Sequence, residues 1–373
     1  MELYLKLRGM IESGEYEIGS RLPSEKELAE EHGVSRITSK HALDRLAREG
    51  FISRYPGKGS YVRTAGTAPE GHRHVSEQIS EQRRELKLIG VIMEGMQAEF
   101  GGDILIGIEK MCAEEGYSPI IKFSHGDVKR ERECMDELID AGVEGILLMC
   151  VFKEVYNSVV MKLSLEGFPL VFMDRSLNGL PIPYVGTDHC DAACRLTGEL
   201  ISRGHRNLAL AMTEDSHTTS SAEARVHGYV QTCIDNELLC ANKRLLLLYE
   251  DPIVPDAAVR QENVRRVRAF ADEHPETTAI MSLSTSIASI VLQALHGYND
   301  REYLMASFDG PQNVLNMPMD FIYVKQDQLA MGSIACKRLI EKINGADVPM
   351  YTEIPYKVIS CDAGQNAMLN HAI

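Results

Sequence analysis

Residues 34–62, "VSRITSKHALDRLAREGFISRYPGKGSYV", decide how the first part of the chain folds. Ser35 can cap a helix that runs to Glu49, with Gly50 just past its end. Ile37, Ala42, Leu43 and Leu46 recur at helical spacing and give that helix an inner face. "FISRY" and "SYVR" then alternate apolar and polar residues about "PGKG", the pattern of a β-hairpin. Upstream, "LPSEKELAEEHG" opens on a capping box, Ser24 with Glu27, and stops at Gly33. Only a tight turn can join a helix ending at Gly33 to one capped at Ser35. Farther out, "LYLKLRGMIESG" sets Leu3, Leu7, Met10 and Ile11 on one helical face. Three short helices and a hairpin make a winged helix-turn-helix arrangement.

Charge is divided unevenly along the 373 residues, whose formal net charge is −15. Residues 1–65 hold 11 Lys and Arg against 10 Asp and Glu, a balance of +1, while the remainder holds 28 against 44, or −16. The acidity therefore belongs to a separate body. Within the near-neutral piece, Ser35, Arg36, Thr38, Ser39 and Lys40 gather at the amino end of the third helix. A major-groove reader presents its residues from that end, aided by the helix dipole. Lys58 and Gly59 at the hairpin tip are placed to approach a backbone phosphate, glycine because it has no side chain to interfere. A solvated charged face on a generic helical bundle is the plainer alternative.

"GSRLPSEKELAEEHGVSRITSKHALDRLAREGFISRYPGKGSYV" resembles the DNA-binding domain of the GntR family of bacterial regulators. The resemblance covers about 50 residues, through LPSE, the VSR turn, the AL..L....G helix and the G.G..V wing. It implies that Arg36, Thr38 and Lys40 contact DNA. The sequence departs from the family at Ser39, usually a buried valine, and at Lys40, usually arginine. Lysine binds phosphate well but lacks the bidentate fork that reads guanine.

Residues 66–86, "GTAPEGHRHVSEQISEQRREL", are polar without a sustained apolar period and read as a linker between domains at 1–65 and 87–373. His72 and His74 lack a third ligand nearby, so no metal is expected there. From Leu88 onward, short apolar runs alternate with amphipathic segments. The strand candidates are "LIGVIM", "SPIIKF", "GILLMC", "LVFMD", "LALAM", "RLLLLY", "AIMSL", "LMASFD" and "FIYVKQ". Helical stretches at 103–115, 130–141, 190–203 and 262–274 lie between them. That alternation predicts an α/β class of doubly wound parallel sheets covered on both faces, in two lobes.

"GFPLVFMDRSLNGLPIPYVGTDHCDAACRLTGELISRGHRNLAL" resembles the LacI/GalR effector domain, itself similar to periplasmic sugar-binding proteins. "ARVHGY", "MASFDG" and "IYVKQDQLAMGSIACKRLIEKING" extend the resemblance over nearly all of 88–373. It implies two lobes joined by three crossovers, near Asp188, Asp309 and the pair Gln326 and Asp327, with a small ligand between them. Sugar recognition calls for planar polar side chains and an aromatic wall. Asp309, at a strand end, can accept from two adjacent hydroxyls, and Arg175 and Arg225 supply forked donors. The resemblance puts Arg225 at the family's ligand-contacting arginine and Phe100 where an aromatic often packs on the ligand. Gln326 lies at a crossover. Ser284 with Thr285 replaces an Asn-Asp pair of the family, which leaves the ligand's identity open.

No G-x-S-x-G, H-E-x-x-H or G-x-x-x-x-G-K-[ST] motif occurs, and no Cys/His metal spacing, so neither catalysis nor a cofactor is expected. Nine cysteines without a C-x-x-C pair fit free thiols in a reducing cytoplasm. The opening "MELYLKLRGMIESGEYEIGS" lacks the apolar core of an export signal, and no apolar run is long enough to span a bilayer. The expectation is a cytoplasmic, sugar-responsive transcriptional repressor that binds operator DNA as a homodimer. A GntR-type reader joined to a LacI-type sensor resembles the arabinose-repressor group of Gram-positive bacteria, which makes a pentose the leading effector. A hexose, a sugar phosphate or a purine are the alternatives within that class. A solute-binding protein of a sugar transporter and a sugar-processing enzyme are the rivals outside it.

Overall fold

The computed structural model describes residues 2–55, 59–63, 86–97, 99–151, 157–177, 179–214, 219–238, 244–249, 256–310 and 320–361. They fall in two compact units, Met1–Glu85 and Leu86–Ile373. The expected linker, apart from Leu86, and the His72 and His74 pair lie outside the described residues.

In the first unit, α1 (Glu2–Glu12), α2 (Glu25–Glu31) and α3 (Arg36–Arg48) pack on a small antiparallel sheet. Its strands are β1 (Arg21–Leu22), β2 (Ile52–Tyr55) and β3 (Gly59–Val62), in the order β1-β3-β2. The capping box forms as the spacing requires: Ser24 Oγ accepts from Glu27 N at 3.3 Å and Glu27 Oε2 accepts from Ser24 N at 2.7 Å. Leu7, Leu28, Leu43, Leu46 and Ile52 close the core. Arg54 ties β2 to Asp44 of α3 and Glu25 of α2, so this basic residue serves inside the unit.

The second unit holds two six-stranded sheets. The first contains β4 (Lys87–Met93), β5 (Tyr117–Phe123), β6 (Ile146–Leu148), β7 (Leu170–Met173), β8 (Tyr184–Gly186) and β14 (Tyr351–Glu353). Their order is β14-β8-β7-β6-β4-β5, parallel throughout. The second contains β9 (Leu208–Thr213), β10 (Leu245–Leu248), β11 (Ala279–Ser282), β12 (Leu304–Phe308), β13 (Phe321–Gln326) and β15 (Tyr356–Cys361). Here the order is β10-β9-β11-β12-β13-β15, with only the edge strand β15 antiparallel. Central strands such as β6, β7, β11 and β12 are buried at every position, as strands covered on both faces must be.

The helices of this unit are α4 (Gly102–Glu115), α5 (Val128–Asp140), α6 (Ser158–Leu165), α7 (His189–Ser202), α8 (Ser220–Asp235), α9 (Ala257–Glu273), α10 (Thr285–Leu295) and α11 (Gln328–Ile343). The chain leaves the first sheet after β8 and enters α7, which packs on the second. It returns between β13 and α11, and passes back once more between β14 and β15. Two of the expected crossovers, at Asp188 and at Gln326 with Asp327, therefore hold. The third does not: β12 and β13 on either side of Asp309 are neighbours in one sheet, and the crossing lies between β14 and β15 instead.

α11 crosses α4 closely because two glycines face the contact. A Cβ on Gly107 would lie 2.2 Å from Leu329 O, and one on Gly332 would lie 2.0 Å from Ile104 O. This crossing anchors α11 to the first lobe, directly after the chain has left β13.

Candidate functional site

At the amino end of α3 the five expected residues do not share one environment. Ser35 caps the helix, its Oγ accepting from Thr38 N at 3.1 Å and lying 2.8 Å from Thr38 Oγ1. Ser35, Thr38 and Lys40 are exposed. Arg36 occupies the first helical position. Ser39 does not belong with them: it is fully buried, and its Oγ donates to Glu25 O of α2 at 2.6 Å. Its place follows from helical spacing, since 39, 42, 43 and 46 share the inner face with Ala42, Leu43 and Leu46.

Lys58 lies outside the described residues. Gly59 has φ +109° and pairs with Tyr55, and a Cβ there would meet Arg21 Nε at 2.7 Å. The missing side chain thus makes room for Arg21, an exposed basic residue that sequence reading passed over because β1 has only two residues.

In the second unit, the candidate side chains collect where strands end, the usual ligand position in open α/β sheets. Glu94 follows β4, Asp174 and Arg175 follow β7, Ser284 follows β11, Asp309 follows β12, and Gln326 closes β13. Asp174 and Asp309 both take left-handed backbone, at φ 57° and 59°. Such a conformation costs a non-glycine residue roughly 1–3 kcal/mol and tends to persist where it serves a site. Each aspartate is pinned by a backbone bond from the neighbouring strand, Asp174 N to Val185 O at 3.0 Å and Asp309 N to Val324 O at 2.9 Å.

Arg225 on α8 is buried and stacks on the Phe308 ring, its guanidinium carbon 4.0 Å from the centroid. Nη1 donates to Leu283 O at 2.7 Å, while Nε and Nη2 point at His189 Nδ1, both at 3.3 Å. His189 Nε2 in turn lies 3.2 Å from Asp174 Oδ1. Asp309 accepts from Gln326 Nε2 at 3.2 Å and from Gln328 Nε2 at 3.5 Å. Gln328 is itself held by Glu99 O and Gly101 N, at 2.8 and 2.9 Å. Arg175 pairs with Glu94, Nη1 to Oε2 at 2.6 Å.

Burial alone would raise both aspartates, but their surroundings differ. Around Asp174, His189, Arg225 and Arg175 more than offset burial, and its pKa falls to about 2. At Asp309 burial prevails over Arg225 and the Gln326 bond, and the pKa rises to about 7. His189 is lowered by burial and by Arg225 against the pull of Asp174. One aspartate is therefore a fixed anion, and the other is poised near neutrality.

Arg175, Arg225, Asp309 and Gln326 thus gather in one largely buried cluster where strand ends of the two lobes meet. Phe100 is half-buried and packs against the core of the first lobe. Ser284 caps α10, with its Oγ 2.8 Å from Ser286 Oγ, one residue from the carbonyl that holds Arg225. Its neighbour Thr285 donates to the carbonyls of Phe308 and Asp309 at 2.9 and 2.6 Å, bracing the strand end that carries the aspartate. Sequence reading missed Asp174, His189, Glu94 and Gln328, although each adjoins a strand end or crossover it had located. Among the described residues, no group of three His, Cys, Asp or Glu side chains is placed to hold a metal, and no helix is long and apolar enough to cross a membrane.

Comparison with known proteins separates the same two parts. Residues 1–62 match the model of bacterial regulatory proteins of the gntR family, and residues 89–320 match that of the periplasmic binding protein domain. The arabinose metabolism transcriptional repressor of Geobacillus stearothermophilus is 23% identical over 376 residues, 96% of this chain and 94% of that protein. GanP, a glucose-galactose binding protein from the same organism, superposes with a TM-score of 0.62 at 20% identity, over 74% of this chain and 98% of its own. The Cra transcriptional dual regulator from Pseudomonas putida, in complex with fructose 1-phosphate, gives 0.62 at 18% identity, over 74% and 98%.

Proposed function

Because the chain belongs to the periplasmic binding protein domain family and carries a gntR-type amino-terminal unit, we propose that it is a cytoplasmic, sugar-responsive transcriptional repressor. It binds a two-fold operator as a homodimer and responds to a pentose held between its lobes. Arg36, Thr38, Lys40 and Lys58 serve the DNA, and Phe100, Arg175, Arg225, Ser284, Asp309 and Gln326 serve the effector.

The observation that carries this reading is the pairing in one chain of an exposed helix amino end with an interlobe cluster of forked donors and a carboxylate pair. A carboxylate, two guanidiniums and two amides suit vicinal hydroxyls, and nothing in the cluster supplies an activated nucleophile. The repressor-named relative spans nearly the whole chain, which supports regulation over transport or catalysis. Its name also favours a pentose, while the two structural neighbours carry a neutral sugar and a sugar phosphate in their titles.

A thermal-shift panel of pentoses, hexoses and sugar phosphates, followed by operator titration with the best ligand, tests the proposal. A ligand at 100 times its Kd stabilises by about 2.7 kcal/mol. A hexose or purine that outcompetes every pentose overturns the pentose assignment, and absence of salt-sensitive binding to the chain's own upstream DNA overturns the regulator.

A further inference from the structure

We propose that Glu94 makes the interlobe cleft an anion filter: by occupying the Arg175 guanidinium it restricts the effector to an uncharged polyol and turns away sugar phosphates and sugar acids. This deepens the effector reading above and rests on it.

The argument begins with charge. Among the described residues gathered there, two guanidiniums, Arg175 and Arg225, face the carboxylates of Glu94 and Asp174, with Asp309, poised near neutrality, beside Gln326. His189 adds no positive charge while its Nδ1 accepts from Arg225. An arriving phosphate or carboxylate would find each cation already matched, and would have to displace a carboxylate to reach one.

The unmatched polar atoms point the same way. Arg175 Nε, Gln326 Oε1 and Asp174 Oδ1 are buried without a hydrogen-bond partner, one a donor and two acceptors. A hydroxyl both donates and accepts, so a polyol can satisfy the two kinds of atom. A fully ionised phosphate only accepts, and would leave Gln326 Oε1 unpaired at the cost of its desolvation. Glu94 is the key because its 2.6 Å contact takes the Nη1 prong of Arg175. Glu94 can be changed alone, whereas Asp174 is woven into His189 and Asp309 into Gln326.

The test titrates the full chain with L-arabinose, D-ribose, ribose 5-phosphate and inorganic phosphate, following calorimetry and melting temperature. The parent should bind a neutral pentose at least about tenfold more tightly than ribose 5-phosphate and gain no stability from phosphate. Glu94→Gln should gain about tenfold for ribose 5-phosphate and become stabilised by inorganic phosphate. Adding Arg175→Gln should cancel that gain, since Arg175 is the donor released. Glu94→Ser is the second variant should Glu94→Gln lose its cooperative melting. A parent that prefers ribose 5-phosphate to ribose, or a folded Glu94 variant without any gain for phosphate, overturns the filter. If neither pentose binds the parent while the Glu94 variant gains phosphate, the pentose reading falls and the filter stands.

Discussion

His189 Nδ1 lies 3.3 Å from two donors of one side chain, Nε and Nη2 of Arg225. Arginine can only donate, so this ring nitrogen is a lone pair, and the single ring proton sits on Nε2, which donates to the Asp174 carbonyl oxygen at 3.2 Å and lies as close to Asp174 Oδ1. A neutral imidazole thus joins α8 of the second lobe to the strand end after β7 of the first. His189→Leu removes acceptor and donor together and leaves Arg225 and Asp174 buried without their shared partner. The expected loss of stability is roughly 3–5 kcal/mol, the range for breaking a buried ionic network. His189→Gln keeps one acceptor and one donor and should lose less. Denaturant midpoints measure both, and an unchanged midpoint for His189→Leu would show that the relay is not formed.

Asp309 predicts how stability changes with pH. Its pKa rises from the ordinary 3.8 to about 7 in the folded chain. Between those values the native state holds a proton that the unfolded chain has released. The contribution is full below the lower value and is lost as pH climbs toward the upper one. The slope approaches about 1.4 kcal/mol per pH unit in that window. Asp174 has the opposite sign, since its pKa falls from 3.8 to about 2, and its stabilisation is lost only as pH drops through that lower range. Urea unfolding of the parent and of Asp309→Asn at pH 5, 6 and 7 separates the two. The substitution should flatten the fall in stability over this range, and equal slopes would place the titrating group elsewhere.

The nine apolar runs from "LIGVIM" to "FIYVKQ" all became strands; the central ones are continuous because both their faces are buried, while the edge strands β5 and β10 keep exposed positions. The strands that escaped notice are those that packing, not composition, creates. β1 has two residues, β8 and β14 have three, and β15 mixes half-buried and exposed positions, with none buried, at a sheet edge. Site residues followed a similar rule. Asp309 and Arg225 announced themselves through their surroundings, but His189 became legible only when the fold brought Asp174 and Arg225 to its two nitrogens. Glu94 stayed hidden because its meaning lies in Arg175, 81 positions along the chain. Ser39 was misplaced despite a clear signal, its seven-residue spacing to Leu46 being that of the inner face.

Ser39 and Lys40, adjacent in sequence, should therefore fail in different ways. Ser39→Ala deletes the bond to Glu25 O and leaves that carbonyl to find another donor. Stability of the first unit should drop by about 1–2 kcal/mol, with operator affinity affected only through folding. Lys40→Ala should leave stability within about 0.5 kcal/mol and weaken operator binding instead. If Lys40 neutralises one phosphate, the log–log salt slope should shrink by about 0.9. Melting curves and DNA titrations at several salt concentrations decide both. A destabilised Lys40→Ala with an unchanged slope would remove Lys40 from the interface.

The last prediction concerns how an effector in the cleft reaches DNA. A ligand changes operator affinity only if the two lobes adopt arrangements that it binds unequally. The cleft is built for such inequality: Gln328 of α11, which is anchored to the first lobe through the Gly107 and Gly332 crossing, reaches Asp309 of the second at 3.5 Å. A sugar whose hydroxyls take over the Asp309 carboxylate would compete with Gln326 and Gln328 for it, and so loosen one arrangement in favour of another. Typical coupling of this kind is roughly 1–3 kcal/mol, or about 5–150-fold in affinity, enough to switch a promoter. Asp309→Ala should abolish the response, because the sugar loses its paired acceptor while the amino-terminal unit keeps its own core. Operator affinity without ligand should stay near that of the parent. The measurement is a DNA titration of both proteins with and without the best pentose. If Asp309→Ala still responds at the parent's effector concentration, the effector does not bind at this carboxylate.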